Sequence, residues 1–255
     1  MTRYAGCVRI EAISPMTGQG ASSCGSMTDM RTVFVIGGMG SGKSTLTQAM
    51  AANGVPVLDL DTIGHEALRE PAVCHALVDA FGTGILDGRG HVDRASLAAC
   101  AFADPSEAAT LSRISAPFIL ESLHAWLAAR KAEGCRLCVI EASAFDGENS
   151  ALADIADCIV AVCAPQEARV LRAMAKGFTE EDVLRRLSAQ ASDEQRRHWA
   201  DLVVENAGTL LEFHGAIDAL GGRLEAFFDK DQERGSATAA TRQPKGATAQ
   251  QPAAP

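Results

Sequence analysis

The chain has 255 residues, a formal net charge of -9 and 47% hydrophobic residues, a composition typical of a globular protein. The acidic balance argues against binding to nucleic acid or to an anionic membrane, because both partners need a broad basic surface. No apolar run approaches the ~18 residues that cross a bilayer, and the N-terminal segment has no apolar core of a secretory signal. We therefore expect a cytoplasmic protein without a membrane or nucleic-acid partner.

The two ends of the chain differ in composition from its middle. Residues 1–30 show no clear periodicity, and Met27 and Met30 stand just before the first predicted strand. We interpret the first 26 residues as an appended extension or a misassigned translation start. Residues 231–255 contain few large apolar side chains that could offset the entropy of the chain. We predict disorder at both ends and one folded domain over residues 31–230.

The first predicted strand, at residues 32–36, leads into the glycine-rich segment 37–45, and a predicted helix over residues 46–52 follows. The segment contains G-x-x-x-x-G-K-[ST], whose backbone N–H groups surround phosphate oxygens at a helix N-terminus. It therefore predicts a nucleoside-triphosphate site, in which Lys43 reaches the β- and γ-phosphates and the Ser44 hydroxyl binds Mg²⁺. The residues of this segment that we expect to bind the nucleotide are Gly38, Gly40, Ser41, Gly42, Lys43, Ser44 and Thr45.

Two carboxylates follow the second predicted strand, which covers residues 55–58. Ligands of open α/β sheets lie at the carboxyl ends of the strands, so Asp59 and Asp61 should stand beside the triphosphate. If the strand continued through Asp61, both side chains would point to the same face. We interpret Asp61 as a catalytic base that accepts the proton of an acceptor hydroxyl. The alternative role is a helix cap for the segment that begins at Thr62.

Strands and helices alternate through the rest of the chain. Apolar spacing predicts helices at 61–70, 72–81, 93–102, 104–131, 165–176, 179–191, 193–199 and about 208–229. Further strands are predicted at 137–140, 158–162 and 202–204. Pro117 should kink or divide the long helical region in which it lies. Repeated βα units after a phosphate loop predict an α/β fold with a doubly wound parallel sheet of five strands.

Three basic side chains of the C-terminal half are candidate phosphate contacts. Arg172 and Lys176 lie one turn apart on a predicted helix, and a mobile flap with these charges could close over the phosphates and exclude water. The alternative interpretation is a solvated helix face. Arg196 has the same two interpretations.

The cysteines and histidines give no sign of a metal site. Cys135 and Cys138 form the only C-x-x-C pair, and neither a second pair nor a Cys/His cluster accompanies them. We therefore expect the eight cysteines of the chain to be reduced thiols.

An ordered set of segments resembles the dephospho-CoA kinase family. Residues 35–45 resemble its phosphate loop and residues 58–61 its Asp-x-Asp, whose second aspartate is the presumed base, so that this role falls on Asp61. The segments 86–97 and 186–208 are similar to later parts of the family. The resemblance runs from about residue 31 to residue 220.

The resemblance implies a three-layer P-loop NTPase fold of the adenylate-kinase type, with a helical CoA-binding region at 81–130 and a lid at 172–196. Arg172, Lys176 and Arg196 would then contact ATP. The implied reaction transfers the γ-phosphoryl group of ATP to the 3′-hydroxyl of dephospho-CoA, with Mg²⁺ as the metal cofactor. We expect a monomer or a weak homo-oligomer.

The chain differs from the family pattern at three positions. Ala116 stands where the family usually has histidine, Glu141 where it has aspartate, and Lys176 where it has arginine. We place these differences on the acceptor side and the lid. They leave open a related kinase of another small-molecule alcohol, or a degenerate regulator that binds ATP without transferring phosphate. The intact phosphate loop and Asp61 argue against the regulator.

Overall fold

Five apolar segments form one sheet in the computed structural model, which describes residues 30–101, 103–147 and 151–240. All neighbouring strands are parallel, and their order is β2-β3-β1-β4-β5. The strands are β1 (Arg31–Gly37), β2 (Val57–Asp59), β3 (Leu137–Ala142), β4 (Cys158–Cys163) and β5 (Leu202–Glu205). The doubly wound parallel sheet of five strands that the sequence predicts is therefore confirmed.

Helices follow each strand, as βα units require. They are α1 (Lys43–Ala52), α2 (Leu60–Ala67), α3 (Pro71–Phe81), α4 (Arg94–Ala101), α5 (Pro105–Ala132), α6 (Gln166–Met174), α7 (Glu180–Ser188), α8 (Asp193–Trp199) and α9 (Leu210–Ala240). Pro117 lies inside α5 and does not divide it. Ser115 donates its hydroxyl to the Leu111 carbonyl in the same part of the helix, at 2.9 Å.

Alternate residues of the central strand β1 face two hydrophobic layers. Val33 and Val35 pack on one face with side chains of α1 and α9, such as Leu46 and Ile217. Phe34 and Ile36 point to the opposite face, where side chains of α2 and α5 cover the sheet. All four β1 side chains are buried, as expected for a parallel strand that helices cover on both faces.

The helices α3, α4 and α5 enclose a smaller hydrophobic cluster beside the sheet. Its buried members include Leu77, Ile85 and Leu97, and the antiparallel bridge between Leu86 and Val92 closes the turn between α3 and α4. Phe118 packs against both this cluster and the sheet layer. The sequence assigns residues 81–130 to the acceptor. The hydrophobic cluster of this region also contains side chains of α3, which begins at Pro71, before the assigned region.

The last helix extends beyond the end that the sequence predicts. The structure continues α9 to Ala240, whereas the apolar pattern ends near residue 229 and the predicted tail begins at residue 231. Seven of the twelve residues in 229–240 are Lys, Gln, Glu, Arg or Ala, which favour helix without an apolar stripe. The predicted disorder of residues 1–29 and 241–255 lies outside the described residues. Within the described part of the chain, none of the helices is long and apolar enough to span a membrane.

Candidate active site

The phosphate loop, residues 37–45, joins β1 to α1 at the carboxyl edge of the sheet. Gly40 and Gly42 have positive φ angles of 74° and 110°, which glycine adopts without the steric cost of a β-carbon. Gly42 is the N-cap residue of α1, and no side chain caps this helix start. The first backbone N–H groups of α1 are therefore suited to an anion.

The glycines of the loop also make room for other parts of the molecule. A β-carbon on Gly38 would lie 1.8 Å from Nη2 of Arg169, and one on Gly40 would lie 2.5 Å from the Arg169 carbonyl oxygen. A β-carbon on Gly42 would lie 2.4 Å from Nδ2 of Asn206. The loop is thus in close contact with α6 and with the segment after β5.

Two polar side chains of the loop are buried in a manner that suits a phosphate. The Ser41 hydroxyl oxygen is buried without a hydrogen-bond partner among the described residues. Lys43 is 7% exposed, and its Nζ donates to the carbonyls of Gly37 and Gly38 at 2.8 and 3.3 Å. A phosphate group would offer both side chains an anionic acceptor, which makes stronger hydrogen bonds than a carbonyl does.

The burial of Lys43 affects the pKa of its side chain. Desolvation lowers the pKa of this ammonium from its ordinary value, and the carboxylates of Glu141 and Asp61 act in the opposite direction. Arg196 and Arg169 lower the pKa further. The charges of these four groups therefore all act on the lysine of the loop.

Glu141 lies beside the phosphate loop, and its assignment to the acceptor side was wrong. It accepts hydrogen bonds from Ser44 Oγ at 2.8 Å and from Thr47 Oγ1 at 2.7 Å. The reason is the register of the sheet, because Glu141 on β3 is opposite Val35 on β1, two residues before the loop. A buried carboxylate thus stands next to the hydroxyl that we expect to bind Mg²⁺.

The two aspartates after β2 have different positions. The strand ends at Asp59, whose carboxylate accepts from the backbone N–H of Asp61 at 2.9 Å and caps α2. Asp61 lies exposed in the first turn of that helix. The strand does not continue through Asp61, so the condition for placing both side chains on one face is not met, and the capping role belongs to Asp59. Burial raises the pKa of Asp59 above its ordinary value, as do the charges of Asp61 and Glu141.

Two of the three predicted cations of the C-terminal half reach the loop. Arg172 donates to the Gly40 carbonyl at 3.3 Å and to Asn206 Oδ1 at 3.0 Å. Arg196 is 3% exposed, and its Nη1 lies 3.1 Å from the position of a β-carbon on Gly38. Lys176 is exposed and lies beyond the end of α6, so the structure does not bring it to the loop.

The structure adds residues that the sequence analysis did not select. Arg169 is 7% exposed and donates its Nε to the Met39 carbonyl at 3.0 Å. Asn206 donates to the Ser41 carbonyl at 2.7 Å, and Gln190 accepts from the Met39 N–H at 3.0 Å. The three-residue spacing of Arg169 and Arg172 could have revealed the first of these, because it places both on one helix face.

The donor set suits Mg²⁺ better than a softer metal. In the described residues, no group of three or more His, Cys, Asp or Glu side chains could hold a metal ion. Mg²⁺ commonly needs only one or two protein oxygens beside substrate phosphates, and Ser44 and Glu141 offer such oxygens. Cys135 and Cys138 are free thiols, as the sequence predicts.

Comparison with known proteins gives one consistent family. A family model described as dephospho-CoA kinase matches residues 31–212. A dephospho-CoA kinase of Deinococcus radiodurans is 36% identical over 202 residues, which cover 78% of this chain and 95% of the relative. A dephospho-CoA kinase of Thermobifida fusca is 38% identical over 199 residues, which cover 77% of this chain and 97% of the relative.

Solved structures agree with the fold. A crystal structure from Thermus thermophilus has a TM-score of 0.66 and 30% identity, and it covers 76% of this chain and 98% of its own. A dephospho-CoA kinase from Campylobacter jejuni has a TM-score of 0.57 at 20% identity, which supports the fold alone. That structure covers 76% of this chain and 96% of its own.

Proposed function

The chain belongs to the dephospho-CoA kinase family, and from this premise we propose that it transfers the γ-phosphoryl group of ATP to the ribose 3′-hydroxyl of dephospho-CoA. This reaction is the last step of coenzyme A biosynthesis. The proposal rests on one observation. Lys43, Ser44 and two buried arginines lie together at one edge of the sheet, and Asp61 lies in the adjacent helix. A degenerate regulator that only binds ATP would not need all of these side chains together.

Phosphoryl transfer requires that negative charge on the γ-phosphate be neutralised while two oxygens are held in line. We assign this task to the loop N–H groups, Lys43, Arg172, Arg196 and the newly identified Arg169. The bond from the γ-phosphorus to the bridging oxygen breaks, and a bond to the acceptor oxygen forms. ADP leaves with the bridging oxygen. Buried cations are effective here because little water screens them.

Asp61 is the proposed base for the acceptor hydroxyl. It is exposed in the first turn of α2, where an acceptor could approach it, and its charge is felt at Lys43. The Asp59 carboxylate holds the backbone N–H of Asp61 and so fixes the start of the helix. Asp61 accepts the proton that the acceptor hydroxyl loses as the new P–O bond forms.

Ser44 and Glu141 are the proposed holders of Mg²⁺. Their oxygens lie 2.8 Å apart, and Thr47 holds the second Glu141 oxygen. When bound, Mg²⁺ neutralises charge on the β- and γ-phosphate oxygens. Glutamate carries the same charge as the aspartate of the family pattern, and its extra methylene lets it hydrogen-bond both α1 hydroxyls.

Membership of the dephospho-CoA kinase family also implies an acceptor-binding region and a lid. We assign residues 81–130 to acceptor binding and residues 172–196 to the lid. The separate hydrophobic cluster of α3, α4 and α5 supports the first assignment, because it gives this region a core of its own beside the sheet layer, with Phe118 packed against both. Free thiols at all six described cysteines fit a reducing cytoplasm.

A coupled assay of ADP release with ATP, Mg²⁺ and dephospho-CoA tests the proposal. We expect turnover by the wild type, a loss of about 10²-fold or more in Asp61→Asn, and a comparable loss in Lys43→Ala. Asp229→Asn, which changes an exposed carboxylate on α9, is the matched control and should retain wild-type turnover.

Three outcomes of this assay are decisive. Absence of dephospho-CoA-dependent turnover in the wild type contradicts the proposed acceptor and favours another alcohol if ATP still binds. Undiminished turnover in Asp61→Asn removes the proposed base but leaves phosphoryl transfer in place. Undiminished turnover in Lys43→Ala contradicts the proposed role of the loop.

A further inference from the structure

Two buried arginines share one carboxylate above the phosphate loop. Asp193 Oδ1 accepts from Arg169 Nη1 at 3.2 Å and from Arg196 Nη1 at 3.0 Å. The side chains of Arg169 and Arg196 are 8% and 4% exposed, and that of Asp193 is 21% exposed. Removal of one partner from such a buried set costs more than the loss of a surface ion pair.

The carboxylate is itself tied to the sheet. Asp193 Oδ2 accepts from the backbone N–H of Ala164 at 3.1 Å, directly after β4 ends. A capping box of Ser192 and Gln195 fixes the start of α8, on which Asp193 is the first residue. Asp193 therefore connects the rigid end of β4 to two side chains that come from separate helices.

The arginines point at the phosphate loop because of this connection. The Arg169 guanidinium donates to the Met39 carbonyl and lies against Gly38, where Arg196 also approaches. Two guanidinium groups and one carboxylate leave one positive charge in excess, in addition to Lys43. Burial lowers the pKa of Arg196, and so does its neighbour Arg169. Without the carboxylate between them, the two like charges would repel each other.

We propose that Asp193 is a positioning residue for phosphoryl transfer, which holds Arg169 and Arg196 in the direction of the γ-phosphate over Gly38. The role rests on the proposed function, since it has a meaning only if phosphate is transferred at this loop. Asp193 makes no contact with the reacting atoms in this account and acts through the two arginines.

The role predicts a specific kinetic signature. Replacement of the carboxylate by an amide raises the net positive charge at the loop, so the binding of ATP in its ground state is retained. The direction of the guanidinium groups is lost, because one amide cannot accept from the guanidinium groups and also from the Ala164 N–H. Orientation matters most in the transition state, so kcat falls about 10-fold or more while KM for ATP stays within about threefold of the wild type.

The experiment compares kcat, KM for ATP and the number of nucleotide sites per protein in the wild type, Asp193→Asn and Glu194→Gln. Glu194 is the adjacent exposed acid of α8, so its replacement removes the same charge from the same helix turn. A fourth comparison measures the change in kcat that Asp193→Asn causes in a variant that already carries Arg169→Met and Arg196→Met. We expect the kcat loss in Asp193→Asn alone, normal kinetics in Glu194→Gln, and little further loss in the background without the arginines.

Several results would overturn the role. Wild-type kcat in Asp193→Asn, or an equal loss in Glu194→Gln, contradicts it and leaves the proposed function intact. A reduced number of nucleotide sites with an unchanged kcat per site indicates a merely structural residue. If Asp193→Asn lowers kcat by the same factor in the variant without the two arginines as in the wild type, Asp193 does not act through them. A wild type without dephospho-CoA-dependent turnover overturns the proposed function and this role together.

Discussion

Single side chains of the candidate site find their partners far along the chain. Glu141 on β3 accepts from Ser44 on α1, and Asn206 after β5 donates to the Ser41 carbonyl. Each of these groups is buried or borders a buried partner, so the loss of one partner leaves a desolvated polar atom. The phosphate loop is therefore held by side chains from segments that are distant in the chain.

The first residue-scale prediction concerns the carboxylate at Ser44. Glu141→Gln removes the negative charge but keeps the shape of the side chain, so we expect the half-saturating concentration of Mg²⁺ to rise about 10-fold or more. Steady-state turnover measured as a function of free Mg²⁺ at saturating ATP provides the test. Glu225→Gln, an exposed change on α9, should leave the Mg²⁺ dependence as it is. An unchanged dependence in Glu141→Gln would exclude this residue from the metal site.

The second residue-scale prediction separates backbone strain from packing. Gly40 and Gly54 both have positive φ angles, of 74° and 83°. A β-carbon on Gly40 would meet the Arg169 carbonyl at 2.5 Å, whereas one on Gly54 has nothing within 4 Å. Both Gly→Ala variants should lose about 1 kcal/mol of unfolding free energy through strain.

Only Gly40→Ala should also lose nucleotide affinity, by about 10-fold or more, because it displaces the backbone of α6 that packs on the loop. Thermal unfolding and titration calorimetry with ATP measure the two effects on the same samples. Equal ATP affinity in the two variants would show that the contact between Gly40 and Arg169 is not needed for binding.

The sequence locates the phosphate loop but not the side chains that support it. Lys43 and Ser44 belong to a local motif, and the loop geometry fits their expected roles. Asp193 has no local signal, since an acid in the first turn of a helix is usually a surface residue. Glu141 was assigned to the wrong side because its neighbour Ser44 is 97 residues away in the chain.

At the scale of elements, strands were easier to predict than the ends of helices. Apolar runs marked every strand within a few residues, because both faces of a parallel sheet are buried. The strand β2 ends at Asp59, one residue beyond the predicted end, and the Asp59 carboxylate caps α2 directly after it. The end of α9 lies beyond the apolar pattern, which stops near residue 229 and therefore does not mark it.

The buried strands give an element-scale prediction about thiols. Burial raises the pKa of Cys138 on β3 and Cys163 on β4 to about 11, and that of Cys158 on β4 to about 12, from the ordinary 9.0. These thiols stay protonated in the folded protein at pH 8. Iodoacetamide at pH 8 should therefore modify the exposed Cys100 and spare these three, as read by peptide mass spectrometry.

The same shifts predict a pH dependence of stability. The folded pKa values lie above the unfolded value, so the stability contribution of the neutral thiols is complete below pH 9 and is lost as the pH rises through 11 to 12. Denaturant unfolding at pH 8 and at pH 10.5 should show a lower unfolding free energy at the higher pH. Modification of Cys158 in native protein at the rate of Cys100 would contradict the buried environment on which both predictions depend.

At the scale of the whole molecule, two hydrophobic layers cover the sheet, and smaller clusters lie outside these layers. The layers hold the five-stranded sheet and present the loop at its carboxyl edge. The cluster of α3, α4 and α5 adjoins one of these layers at Phe118 and supports the proposed acceptor region. The family match over residues 31–212 includes the sheet, this cluster and the proposed lid.

Identification of the phosphorylated product is the decisive test of phosphoryl transfer to dephospho-CoA. Wild-type protein incubated with ATP, Mg²⁺ and dephospho-CoA should yield a new ribose 3′-phosphomonoester in the phosphorus NMR spectrum, in amounts equal to the ADP released. Recovery of unchanged dephospho-CoA from a protein that still binds ATP would contradict the account.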